Sequence, residues 1–353
     1  MPLFSRLPAK LHPDVLLTSA IVRPARIYVF IPTHRRPVLL QRALASLLAQ
    51  TWTDWRAEVH NDDPADPAPS ALVARLADPR ISCVTHPRNL GALASFNLAY
   101  APGPEPFVSI LEDDNAWEPS FLERLHAILE QNSGATLAWC NQYLDEELAD
   151  GSIRITGRTA HPWPVQPDSP RLVHFGEIKQ AFGAVHANGS MLLRRRPGLD
   201  LLTPATIPFA SVESYRERLL PYPLVFLPEP LARFTVTRAS ARTGERPGWI
   251  RFQVALAASF ARVAGPSHDA GLWSHARAVQ PSLSTTLIQA GLADAACRRL
   301  LRHATLREWF YWGLGTLRHP RLALAALRCR HAEWWPSLAA ATAALLSPSS
   351  KNP

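Results

Sequence analysis

The chain has 353 residues, room for two domains, and its 47% hydrophobic content supports packed cores and excludes an intrinsically disordered protein. Its formal net charge of +8 implies anionic partners, and the charge is uneven: residues 301–353 hold six Arg and one Lys against two Glu. The four cysteines stand far apart with no CxxC or His/Cys cluster for zinc, so they read as reduced thiols of a cytosolic protein.

Residues 1–25 read as an N-terminal extension without the apolar core of a signal peptide. No run of about 18 apolar residues predicts a transmembrane helix. The first strand is predicted at Ile27 to Ile31, a continuous apolar run of the kind buried on both faces. Pro32 breaks it, and Pro37 opens a helix carrying Leu39, Leu40, Leu44, Leu47 and Leu48. Strands are then expected at Ala57 to His60, Ile81 to Thr85, Phe107 to Leu111 and Thr136 to Cys140. Helices are expected between them, at Ser70 to Leu76, Gly91 to Tyr100 and Pro119 to Gln131. Asp150-Gly151 reads as a hairpin turn and Thr159 to Pro170 as a loop. Further strands are predicted at Met191 to Leu193 and Leu224 to Leu227, and helices from about Trp249 onward.

Strands alternating with helices predict an α/β domain: a mostly parallel sheet flanked by helices, with a helical C-terminal region. Ligands of such sheets bind beyond the carboxyl ends of the strands. Three strand ends here carry polar clusters. Thr33-His34-Arg35 follows the first, Asn61-Asp62-Asp63 the second and Glu112-Asp113-Asp114-Asn115 the fourth. The last is the most informative. Three adjacent carboxylates after a buried strand repel one another and are costly to desolvate. A divalent cation, Mg²⁺ or Mn²⁺, bridging to a diphosphate relieves that repulsion. The alternative is a solvated acidic turn ahead of a helix.

In this order the segments resemble family 2 of the GT-A glycosyltransferases, over roughly residues 26–240. Val29 to Pro37 is similar to the family's opening strand and loop. Asn61-Asp62-Asp63-Pro64-Ala65-Asp66 resembles its Asp-Asp-Gly-Ser-x-Asp segment, with Asn61, Asp63 and Pro64 as departures. Asn89-Leu90-Gly91 and Asn97 resemble an Asn-x-Gly…Asn element. Leu111 to Pro119 resembles the DxD segment, with Glu112 at its first position, and Phe226 to Phe234 the strand that closes the core. The resemblance implies an inverting transfer of a sugar from a nucleotide-diphosphate sugar to an acceptor hydroxyl. It implies that Asp62 bonds the nucleobase and that Pro32, Thr33 and Arg35 shape the same pocket. Asp113 would lie near ribose or metal, Asp114 would ligate Mn²⁺ or Mg²⁺, and Glu112 would ligate through water. Glu213, in Val212-Glu213-Ser214, is the candidate catalytic base. Arg238 or Arg242 is a candidate diphosphate contact where some relatives place a metal-binding His.

Residues 241–353 form the predicted basic, Trp-rich helical region. Arg307 to Leu317 concentrates aromatics beside arginines, and Trp334-Trp335 follows. Such helices suit either an anionic membrane surface or a packed helical unit. The expected partners are a nucleotide-sugar donor, a saccharide or lipid-linked acceptor and the inner face of the cytoplasmic membrane, with no nucleic acid. Surface polysaccharide or glycolipid assembly is the implied setting. A sugar nucleotidyltransferase would need a Gly-rich loop after the first strand, which Pro32 to Arg35 lacks. A non-catalytic binding module is the other alternative. No GxGxxG or P-loop motif follows the first strand.

Overall fold

The computed structural model describes residues 25–160, 171–173, 188–197, 201–203, 205, 224–237, 254–255, 257–258, 261–262, 265–279, 281–333 and 335–336. Strands and helices alternate through the first half: β1 (Ile27–Thr33), α1 (Pro37–Leu48), β2 (Trp55–Asn61), α2 (Ala68–Leu76), β3 (Ile81–Thr85), α3 (Ala92–Ala99) and β4 (Phe107–Ile110). There follow β5 (Ala116–Trp117), α4 (Phe121–Gln131), β6 (Leu137–Glu147), β7 (Ile153–Arg154), β8 (Arg171–Val173), β9 (Met191–Arg194) and β10 (Leu224–Val236). The helices α5 (Asp269–Val279), α6 (Pro281–Ala293), α7 (Leu306–Arg318) and α8 (Pro320–Leu327) follow among the described residues, with 3₁₀ turns between them.

One mixed sheet runs in the order β3-β2-β1-β4-β9-β6-β10-β5. Strands β3, β2, β1 and β4 pair in parallel, as predicted for β-α-β units. The sheet departs from that pattern at β9, which inserts antiparallel between β4 and β6. Beyond it β6 and β10 again run parallel to each other, in the direction of β4. The reversal has a consequence for the site: the start of β9 lies on the edge where the other strands end.

Side chains alternate along β1 and so divide the core into two layers. Ile27, Val29 and Ile31 face α1, α2 and α4, where Leu40, Leu44, Leu47 and Phe121 are fully buried. Tyr28 and Phe30 face the other layer, with Trp139, Phe226, Trp273, Leu287 and Ile288. The C-terminal helices therefore share one continuous apolar layer with the sheet. The run Ile27 to Ile31 is apolar throughout because both its faces are covered. Each such large side chain contributes roughly 1.5–3 kcal/mol on burial.

Several boundaries differ from the sequence pattern. Strand β6 continues to Glu147, through polar residues that carry no alternation signal. It is held there by β10, whose ladder slips twice around Pro230. Proline cannot donate to a ladder, so Pro228 and Pro230 sit where the ladder bulges. The hairpin at Asp150-Gly151 joins β6 to β7, with Gly151 at φ +81°. Among the described residues no helix is long and apolar enough to cross a membrane.

Candidate functional site

Parallel register aligns the strand ends. Thr33 lies beside Asn61, and Asn61 beside Thr85. The chain leaves β4 just past Leu111, whose amide still donates to Phe30 O. The three polar clusters predicted from sequence therefore meet on one edge of the sheet. Two more segments join them. The turn Asn188–Ser190 precedes the reversed strand β9, and Thr235 lies one residue before the end of β10.

The loop after β1 turns on Arg35, which is in the left-handed region at φ 59°. A non-glycine residue there is uncommon, and such strain gathers at functional sites. The exposed Arg35 donates from Nε to Oδ2 of the buried Asp63 at 2.5 Å. Asn61 is fully buried, and its amide donates to Asp66 O at 2.8 Å while its Oδ1 accepts from the Asp63 amide at 3.1 Å. Asn61 thus serves the turn that follows β2. Asp62 is buried between them. Its two carboxylate oxygens accept from the Leu90 and Gly91 amides at 2.7 and 3.0 Å. The Asn89-Leu90-Gly91 segment is thereby tied to the end of β2. A carboxylate can accept further bonds, so Asp62 retains capacity for another donor.

The acidic turn is held from several sides. Asp113 is buried, and its Oδ2 accepts from Thr33 Oγ1 at 2.9 Å. Arg36 Nη1 reaches both Asp113 Oδ1 at 3.4 Å and Asp114 Oδ2 at 2.9 Å. Burial, then the neighbouring Asp114 charge, pushes Asp113 up to about 6, against the pull of Arg36, the Thr33 hydroxyl and the His34 amide. A carboxyl so perturbed at a strand-end cleft marks a functional site better than a structural one. Glu112 points elsewhere: its Oε2 accepts from Asn115 Nδ2 at 2.7 Å. Asn115 Oδ1 in turn accepts from the Thr235 amide at 3.1 Å, which fixes the turn to β10. Gly189 packs against this pair, where an added Cβ would lie 3.1 Å from Asn115 Nδ2. Trp117 Nε1 donates to Gly189 O at 2.6 Å and locks the two segments together.

The donor set suits a hard divalent cation. One point, the Arg36 nitrogen, lies within 3.4 Å of both Asp113 and Asp114, so a positive charge there is shared by two carboxylates. Mg²⁺ and Mn²⁺ take one or two carboxylates and complete their shell with phosphate oxygens and water. Among the described residues no three His, Cys, Asp or Glu side chains surround a single point.

Of the residues singled out in the sequence, Pro32, Thr33, Arg35, Asp62, Asp113, Asp114 and Glu112 all fall on this edge. Glu213, Arg238 and Arg242 lie outside the described residues. Sequence reasoning missed the basic side of the site. Arg42, on α1, donates to Thr235 Oγ1 at 2.7 Å, to the Asp114 carbonyl at 3.5 Å and to the fully buried Asp145 at 3.3 Å. Arg233 reaches the same Asp145 carboxylate at 3.4 Å and Glu118 at 2.6 Å. The available signal was Arg36 just ahead of, and Arg42 within, the helix that starts at the loop after β1.

Residues 28–190 match the model of glycosyl transferase family 2. The chain is 26% identical over 149 residues to a protein of Escherichia coli named as the colanic acid biosynthesis glycosyl transferase WcaA; the match covers 42% of this chain and 52% of that one. The chain spans about half the length of this curated relative, and less of two others. The fold resembles S. aureus TarS 1-349 in complex with UDP, with a TM-score of 0.55, 13% identity and coverage of 89% and 90% of the two chains. It also resembles the mannosyltransferase PcManGT from Pyrobaculum calidifontis in complex with GDP-Man and Mn²⁺, with a TM-score of 0.50, 16% identity and coverage of 92% and 88%. At these identities the structural likeness bears on the fold alone.

Proposed function

We propose that the chain, which matches the model of glycosyl transferase family 2 over residues 28–190 and resembles glycosyltransferase structures in fold, moves a sugar from a nucleotide-diphosphate sugar to an acceptor hydroxyl. The observation that carries this reading is the meeting of the Asp113–Asp114 pair with Thr33, Arg36 and Asp62 at one row of strand ends. The comparison proteins bound to UDP and to GDP-Man support a nucleotide-sugar donor. The domain that does this is taken as residues 26–240.

In this reading Asp62 and the loop Pro32 to Arg35 line the nucleobase pocket. Asp113 sits toward the ribose and Asp114 is the direct metal ligand, with Glu112 acting through water. A bound Mn²⁺ or Mg²⁺ would neutralise charge on the leaving diphosphate. Arg36 and Arg42 hold the remaining positive potential around the acidic turn, and their guanidiniums suit phosphate oxygens. Glu213 would take the acceptor proton as the hydroxyl attacks from the face opposite the diphosphate, which inverts the anomeric centre.

The colanic acid relative supports surface polysaccharide or glycolipid assembly, with a saccharide or lipid-linked acceptor. The protein would then work in the cytoplasm, at the inner face of the cytoplasmic membrane.

The test is the fate of the anomeric centre. Product formed from nucleotide-α-sugars should be the β-anomer by NMR, and Glu213→Gln should lose turnover by about 100-fold or more while retaining donor binding. A retained configuration would overturn the inverting mechanism. A fully active variant would remove Glu213 from the chemistry.

A further inference from the structure

The helix α7 is inside out. Its inward side carries Glu308, which is buried, together with the half-buried Trp309 and Trp312. Its outward side carries Leu306, Phe310 and Leu317, which are 89%, 66% and 81% exposed. These three positions are spaced i, i+4 and i+11 and fall in one stripe along the helix. Tyr311 on α7 and Leu324 on α8 are also exposed. A surface helix normally places its apolar stripe against the core and its charges outward. Trp309, Trp312 and Trp335 pack inward, Trp334 lies outside the described residues, and the exposed apolar surface belongs to other residues.

Charge is arranged just as unevenly. Arg307 and Arg318 lie on the outward side of α7 and are exposed. Arg321 and Arg328 lie one turn either side of Leu324, also exposed. The one acid of α7, Glu308, faces inward. It accepts from Trp273 Nε1, from Arg277 Nε and Nη2 and from the Thr305 amide and hydroxyl, and it closes the capping box that starts the helix. The helix is therefore fixed in orientation, with its apolar and cationic side turned to solvent.

We propose that the outward face of α7 and α8 is a docking surface for an anionic lipid bilayer. Leucine and phenylalanine side chains enter the acyl boundary while the arginines bordering them meet anionic headgroups. The charge distribution selects this occupant. A second copy of the chain would bring arginine against arginine, and an uncharged apolar partner would leave the guanidiniums unpaired. The surface rests on the transferase reading in one respect: docking would bring the strand-end cleft to a lipid-linked acceptor.

The test uses the full chain and vesicles of phosphatidylcholine with or without phosphatidylglycerol. The wild type should sediment with the anionic vesicles, and high salt should weaken the association. The triple variant Leu306→Ser, Phe310→Ser, Leu317→Ser should bind about tenfold or more weakly, with an unchanged melting curve because those side chains contact solvent. Equal binding by the variant, or no binding by the wild type, overturns the proposal. A wild type that is dimeric by ultracentrifugation, does not sediment with vesicles and becomes monomeric in the variant also overturns it, in favour of self-association. Donor-induced thermal stabilisation, measured alongside, should be the same in both proteins. Its absence in both would count against the transferase reading and leave the vesicle result standing.

Discussion

Two carboxylates set the strand-end cleft apart from the C-terminal helices. Glu308 and Asp113 are both buried and both face arginine, yet they are displaced in opposite directions. Glu308 receives hydrogen bonds from an indole, a guanidinium, a hydroxyl and an amide. Burial works against its charge, but these donors, led by Arg277 and Thr305, hold it down to about 2. Asp113 has Thr33, the His34 amide and a share of Arg36, and it stands beside another carboxylate, so burial and Asp114 hold it up at about 6. A carboxylate that builds structure is supplied with every partner it needs. A carboxylate at a binding site is left short of them, and a ligand can make up the difference.

The largest expected effect follows from removing the ligand end of that contrast. Asp114→Ala should lower turnover by about 100-fold with little change in melting temperature, because Asp114 is partly exposed and its loss frees Arg36 rather than opening the core. A normal rate would break the contrast at once. Removing the structural end should do the reverse. Glu308→Gln loses the charge that Arg277 and the helix N-terminus share, and should cost about 2 kcal/mol in denaturant melts with donor affinity intact.

The pH dependence sharpens the comparison. Asp113 has a folded value of about 6 against an ordinary 3.8, so the folded state holds its proton more tightly. Its ionisation therefore costs stability above pH 6, and stability is regained as pH falls from 6 toward 3.8. Glu308 runs the other way: its contribution is complete above 4.5 and is lost as pH falls toward 2. Melting temperatures of the ligand-free protein across this range should show both slopes. Asp113→Asn should flatten the upper one and Glu308→Gln the lower one. The same upper slope in Asp113→Asn would show that another group causes it. The smallest effect is expected at Gly189. A methyl there lies 3.1 Å from Asn115 Nδ2, so Gly189→Ala should shift the acidic turn and reduce kcat/KM a few-fold.

The acidic side of the site was legible because its signal is local. Asp113 and Asp114 follow directly on a buried strand, and the strand-end rule sends Thr33, Asp62 and Asp114 to one edge. The basic side was not, because Arg42 and Arg233 meet Asp145 only through pairings 103 and 88 residues apart in sequence. The sequence marks Asn188-Gly189-Ser190 as the segment ahead of the Met191 strand, but its place at the site was hidden. Nothing in Met191 to Leu193 says that this strand runs backwards, and only that reversal places Gly189 against Asn115. In the C-terminal region the density of tryptophan and arginine was visible, but which residues face outward depended on how α7 docks. There Glu308 and its capping box turn Trp309 and Trp312 inward and Phe310 outward.

In the proposed function the acidic turn binds a nucleotide-diphosphate sugar through a divalent cation. Calorimetric titration of the wild type with UDP-, GDP- and dTDP-sugars, in Mn²⁺ and again in EDTA, tests it most directly. One nucleotide class should bind in Mn²⁺, and its affinity should fall by about tenfold or more in EDTA. Equal affinity in both conditions, or no binding of any nucleotide sugar, would contradict it.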